Sequence, residues 1–370
     1  MNTLKINKKE LLNNLKIVGG LINKKPKLDI LKNVKFEINY NILNISVNNV
    51  DAIINIKMNI ESNCQKELII HCKQLIEYIR LIDNNIIEIS IKENNILLNN
   101  KYNVQINDLK EYPNNPILNN NIKANINNFD IDILNKVYKF TSTDTTKPVL
   151  NGVYFELLQN DLDLVSTDGY RLAKQTFKLS NNNKLTKAII NNNIINFLLK
   201  HFSKNKTNIV FFEDHIEFNI NDNIYIITQS IPGDYLDINY LFDQWTDKHA
   251  TKLILNTSEI LDKLKIIQSI FKINKVKYED QLIFVNSELI ENKNYLLFYN
   301  KEYNINEKLL IDNNIKFNLA LINLNLLIEP LTVLKVEKFT LKYSNNNYTL
   351  PLVIEVNDFI YMFMKVKIKN

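Results

Sequence analysis

Apolar and polar positions alternate along this chain in one order of elements, and that order occurs three times. Leu4-Lys-Ile-Asn7 reads as a short strand, and Leu11, Leu12, Leu15 and Val18 then recur at helical spacing. Ala124-Asn-Ile to Val137 repeats the pattern, and so does Leu253-Ile-Leu to Ile267, where Thr257 or Ser258 is expected to cap the helix. After each comes a hairpin signal of alternating residues around a polar turn: "NVKFEINYNILNISVNN" from Asn33, "GVYFELLQNDLDLVSTD" from Gly152 and "QLIFVNSELIENKNYLLFYN" from Gln281. A second strand-helix unit follows each hairpin, from Glu67, Lys187 and Ile315. The repeats predict an α+β chain of three like domains, 1–122, 123–250 and 251–370, with two helices in each. Placed side by side, such units put their sheets outside and their helices on one shared face.

The polar faces of the predicted helices are largely basic. Lys9, Asn13 and Lys16 lie opposite the first apolar stripe, and Lys73, Glu77 and Arg80 opposite Leu75, Ile76 and Ile79. Asp132, Lys136 and Lys139 mark the third helix, and Asn196, Lys200 and Lys204 the fourth. The fifth offers Asp262 and Lys265, and the sixth little that is basic. On any single helix such a stripe is an ordinary solvated face. Its recurrence is what suggests a polyanionic partner.

Composition narrows the class. The chain has 370 residues, a formal net charge of +5 and 45% hydrophobic residues, enough for several packed cores. Its heavy use of Asn, Ile and Lys reads as drift towards AT-rich codons, so no single Lys is informative alone. Cys64 and Cys72 form no CxxC, which argues against a disulfide framework and fits a reducing cytoplasm. No apolar run is long enough to span a membrane.

The chemistry-bearing candidates are few. His71, His201, His215 and His249 stand in unrelated contexts, without metal-ligand spacing. No phosphate-binding loop, dinucleotide fingerprint or nucleophile elbow occurs, so neither an enzyme nor a cofactor is expected. A binder of single-stranded nucleic acid would interleave exposed aromatics with Lys, whereas the aromatics here follow strand alternation. The stretch "STDGYRLA" from Ser166 to Ala173 uses one of only 5 Gly in the chain. As catalytic chemistry it is poor. As geometry, Gly169 lets the backbone bend after a buried strand and turns Tyr170, Arg171 and Leu172 towards one patch.

"TKPVLNGVYFE" followed by "LVSTDGYRLA", with the early "KKPKLDILKNV" and the closing strand "FIYMFMKV", resembles the bacterial DNA polymerase III beta subunit, the sliding-clamp family, over the whole chain. The resemblance implies three domains of one fold and a head-to-tail homodimer whose helices line a hole for duplex DNA. It implies contacts that ignore base sequence, with replicative polymerase and clamp-loader subunits docking through short linear peptides. Carried over residue by residue, the peptide pocket is Leu150, Thr167, Gly169, Tyr170, Arg171, Leu172, Pro232, Ile238, Asn318, Thr349, Pro351, Ile360, Tyr361, Met362, Phe363 and Met364. Lys25 matches the family's basic first-domain loop, and with Lys9, Lys16, Lys73, Arg80, Lys136, Lys139 and Lys200 it is expected to meet phosphates. Tyr102 and Val104 are expected across the dimer interface from Ile270, Phe271 and Ile273. The chain departs from the family pattern at Tyr170, often His, at Phe363, usually Pro, and at Asp237, where a basic residue is common.

Overall fold

The computed structural model describes residues 2–23, 25–113, 121–179, 184–243, 250–311, 317, 320–344 and 350–367. Its helices among these are α1 (Lys8–Gly19), α2 (Cys72–Arg80), α3 (Asn192–Phe202), α4 (Ile238–Asp243), α5 (Thr257–Ile273) and α6 (Leu324–Leu334).

Five of the helices start the same way. A strand runs directly into the helix, and its last residue caps it. Asn7, His71, Asn191, Asn256 and Asn323 keep extended or near-extended backbone while a side-chain atom accepts an amide two or three residues on, at 2.8 to 3.2 Å. Each cap satisfies an amide that the helix leaves unpaired, at about 1 kcal/mol. The cap of α5 is therefore Asn256, and not Thr257 or Ser258 as expected from sequence. A strand-end Asn already has the backbone angles a cap needs, whereas Thr257 and Ser258 lie inside the helix.

The third expected helix is not an α-helix. Ile131–Lys136 and Tyr138–Phe140 are 3-10 turns. Ile131, Leu134, Val137 and Phe140 are all fully buried, at a spacing of three. Three residues per turn aligns that stripe on one side, whereas 3.6 per turn would rotate it away. Pro26 to Leu31, by contrast, leads into its strand through a single 3-10 turn, Asp29–Lys32.

The chain packs as two compact units, Met1–Asp132 with Asn182–Ile231, and Ile133–Asn181 with Pro232–Asn370. This grouping differs from a division into thirds because strands of the middle third pair with both neighbours. In the first unit Ile224–Thr228 pairs antiparallel with Ala52–Asn59, Ile226 opposite Ile54. A run of thirteen strands of described residues results, from Ile122–Asp130 to Glu61–Ser62. Val34, Phe36, Ile45, Val47, Leu11 and Leu15 are fully buried in its core. In the second unit Arg171–Lys178 pairs with Phe359–Phe363. That pair continues through Leu352–Val356 and Lys338–Tyr343 to Thr251–Asn256. A separate four-stranded sheet holds Ile305–Ile311, Lys293–Asn300, Leu282–Ile290 and Ala320–Asn323 in that order. Its inward row Ile283, Val285, Leu296 and Phe298 is buried.

Candidate functional site

The STDGYRLA stretch is a turn held by its own side chains. Thr167 Oγ1 accepts from the Gly169 amide at 3.0 Å and donates to the Arg171 carbonyl at 2.5 Å. Asp168 Oδ1 accepts from the amides of Tyr170 and Arg171 at 3.0 and 3.1 Å. Gly169 has φ +94°, a conformation that favours glycine, and a Cβ there would meet nothing within 4 Å. The turn therefore needs glycine for its backbone angle alone.

Strand register then divides the residues between two faces. Leu172 lies opposite Met362 and Arg171 opposite Phe363, so Leu172 and Met362 share one face while Arg171, Tyr361 and Phe363 share the other. On the second face the Arg171 guanidinium binds Asp168 Oδ2 at 2.8 Å, pairs with Glu329 of α6 and sits 5.2 Å from the Phe140 ring centre. Tyr278 Oη donates to the other Glu329 oxygen at 2.6 Å. Tyr361 is fully buried there, 4.9 Å from Phe140, and burial pushes its hydroxyl well above the ordinary tyrosine range. Burial, then the bond to Glu329, does the same to Tyr278. Of the pocket residues implied by the resemblance, the register sets Arg171, Tyr361 and Phe363 on the opposite sheet face from Leu172 and Met362. Arg171 instead staples the turn to α6.

On the Leu172 face, Leu172 and Met362 are buried and Ile360 is half-buried; Leu150 and Ile238 are also buried and Pro351 half-buried. Tyr170 is 72% exposed and Met364 44%. The Met364 amide donates to the Tyr170 carbonyl at 3.0 Å and so fixes the two exposed side chains next to each other. The segment carrying Pro232 and Ile238 crosses this face: Tyr235 stacks on Tyr154 at 4.7 Å, and Lys174 lies 5.4 Å from the Phe242 ring. Gly233 has φ +119°, and a Cβ there would come within 2.8 Å of Val149 Cγ1, so the segment passes close over the Pro148–Asn151 turn. Asp237 caps α4 by accepting the Tyr240 amide at 3.1 Å. The result is an exposed apolar edge of Met364 and Tyr170 beside the buried Leu172 and Met362, the candidate groove. Asn318 and Thr349 lie outside the described residues.

The basic residues separate more widely. Lys9, Lys16, Lys25, Lys73, Arg80 and Lys200 are exposed, all in the first unit. Lys16, Lys73 and Arg80, with Lys32 and His71, line an open cleft of about 690 Å³ beside α1 and α2. Arg80 is shared with Glu77 at 2.9 Å. In the second unit Lys139 is exposed, but Lys136 is half-buried and donates to Gln175 at 3.0 Å. Its short 3-10 turn directs it at the sheet, where the sequence pattern placed it on a free helix face.

Of the expected interface residues, Ile273 is 78% exposed and Ile270 and Tyr102 are half-buried. Val104 and Phe271 are fully buried within their own units, Phe271 against Tyr303 at 5.3 Å. The strand Tyr102–Asn107 pairs along Asn95–Leu98, but with Gln65–His71 only at Ile106 and Asn107. Its Tyr102–Gln105 edge is open among the described residues. No group of metal-ligating side chains occurs among them, and none of their helices is long and apolar enough to cross a membrane.

A repeated sheet scaffold that spends its glycine on a rigid turn beside an exposed apolar groove defines a binding protein. Two family models place it further: the DNA polymerase III beta subunit N-terminal domain matches residues 2–116, and its central domain residues 127–237. The chain belongs to the DNA polymerase III beta subunit family, the beta sliding clamps. It is 24% identical to the beta sliding clamp of Buchnera aphidicola subsp. Rhopalosiphum padi over 372 residues, 96% of this chain and 97% of that protein. It is 25% identical to the Streptococcus pneumoniae (TIGR4) beta sliding clamp over 149 residues, 40% of this chain and 39% of that protein. The fold is shared with the Helicobacter pylori beta clamp solved bound to a DNA ligase peptide, at TM-score 0.84 and 18% identity, over 99% of this chain and 100% of that one.

Proposed function

We propose that the protein is a non-enzymatic processivity factor of the cytoplasm. Two copies close head to tail around duplex DNA, and the groove beside Gly169 tethers the replicative polymerase, clamp-loader subunits and other partners by short peptides. Each copy contributes three domains, 1–122, 123–250 and 251–370. The observation that carries the reading is the pairing of Met364 with Tyr170, which fixes an exposed apolar edge beside a rigid turn. Such a site suits a linear motif with apolar anchors. The dispersed Lys and Arg of the first unit suit a partner that must slide, since many separate phosphate contacts attract the backbone without fixing a register. The open edge Tyr102–Gln105 and the exposed Ile273 suit the head-to-tail contact. The family relationship and the peptide bound to the Helicobacter pylori clamp support the same reading.

Titration of a labelled Gln-Leu-Ser-Leu-Phe peptide tests it. Met364→Ala removes an exposed anchor and is expected to weaken binding roughly tenfold, about 1.4 kcal/mol, with the dimer and its DNA affinity retained. Equal affinity for the wild type and Met364→Ala would mean that the peptide docks elsewhere.

A further inference from the structure

Ion pairs stand on the outward faces of the large sheets, including the face that carries Leu172 and Met362. Lys35 pairs with Glu37 and Glu67 at 2.5 and 3.2 Å, Lys174 with Asp163 at 2.7 Å, and Lys342 with Glu355 at 2.7 Å. The outward face of the four-stranded sheet is different. Phe284 lies opposite both Leu321 and Tyr299 in register, and its ring stacks on that of Tyr299 at 5.3 Å. All three are half-exposed, and nearby on the same face Leu310, opposite Tyr295, is 51% exposed. This face is also continuous with the groove. Val366, two residues past Met364 and 37% exposed, bridges Leu321, its amide donating to the Leu321 carbonyl at 2.8 Å. Directly opposite residues in an antiparallel pairing share a face. Val366, Leu321, Phe284 and Tyr299 therefore form one apolar row leading away from Met364.

We infer that this row is a second docking surface, and that its occupant is the flanking segment of the peptide held in the groove, anchored by an apolar or aromatic side chain. The inference rests on the groove reading above. Its continuity with the groove selects this occupant over an unrelated partner. Four neighbouring strands span three interstrand spacings, about 14 Å, which roughly four or five residues of extended peptide cover. The stacked Phe284–Tyr299 pair offers the ring faces and edges against which an incoming aromatic packs.

Three labelled peptides test this: Gln-Leu-Ser-Leu-Phe alone, and the same motif with Ser-Gly-Trp-Ser added before it or after it. One of the extended peptides is expected to bind roughly fivefold to tenfold tighter than the motif alone. Tyr299→Ser should abolish that gain, Tyr299→Phe should keep it, and both should bind the short motif as the wild type does. The inference is overturned if neither extension tightens binding, or if the gain survives in Tyr299→Ser. A Tyr299→Ser protein that lost the short motif as well would be misfolded. Phe284→Leu, which removes the stack but keeps apolar bulk, then takes its place: loss of the gain supports the second surface, and a retained gain overturns it. If the short motif fails to bind the wild type, or binds Met364→Ala equally well, the groove reading falls and this inference with it. A short motif that binds, with no gain on extension, overturns the second surface alone.

Discussion

Gly169 and Arg171 do separable jobs within one turn. At Gly169 a methyl group has open space, so Gly169→Ala isolates the cost of φ +94°. A loss of about 1 kcal/mol in chemical denaturation is expected, and an unchanged midpoint would show that the turn relaxes. Arg171 has 11% of its side chain exposed and holds two carboxylates, so Arg171→Ala strands Asp168 and Glu329 together. Both carboxylates keep some solvent and another donor, so the loss is expected at about 1–3 kcal/mol in chemical denaturation. Arg171→Lys should recover little of that, because a single ammonium does not reproduce the fork that spans both acids. Cys64 and Cys72 are both buried, and burial pushes the Cys72 thiol up to about 12. Thiol reagents are accordingly expected to modify the unfolded chain and spare the native one at neutral pH.

Helix starts repeat as elements. Each strand delivers its last residue as a cap, so the strand-helix corner is set by a single side chain. Asn256→Ala should destabilise by about 1 kcal/mol and Ser258→Ala by a few tenths, measured as denaturation midpoints; the reverse order would return the cap to Ser258. The sequence hid this signal because Asn is so common along the whole chain that a capping Asn looks like drift. The 3-10 turn at Ile131–Lys136 was harder still to foresee, since apolar residues at i, i+3 and i+6 also fit an amphipathic helix. Only their complete burial at strict spacing of three reveals the tighter winding.

Within each unit, strands of different repeats pair directly, Ile224–Thr228 with Ala52–Asn59 and Arg171–Lys178 with Phe359–Phe363. Exposure then separates two interface variants that look equivalent in sequence. Ile273→Asp should give a folded monomer near 43.5 kDa by light scattering. Phe271→Asp should instead unfold the chain, because it buries a charge without a partner. A folded dimer of Ile273→Asp would place the interface elsewhere. Towards DNA, replacing Lys9, Lys16 and Lys73 together by Ala should lower the slope of log affinity against log salt by roughly three, equally on different sequences. A sequence-dependent loss would point to base readout.

The sequence by itself determined the repeated strand-helix order, the basic stripes and the glycine turn. Each is written in local periodicity or in one residue's backbone freedom; the glycine turn survives in the fold as read, and the order and the stripes survive except at the third expected helix, which 3-10 turns replace. Only the tertiary structure decided which side of the sheet Arg171, Tyr361 and Phe363 occupy. One-residue alternation sends neighbours to opposite faces, and the choice of face depends on a register with a strand nearly two hundred positions away. The same holds for Lys136, whose expected place on a free helix face gave way to a bond with Gln175, and for Phe271, which lies buried against Tyr303 while Ile273 stays exposed. Burial is a property of the whole packing, and no spacing of residues along the chain specifies it.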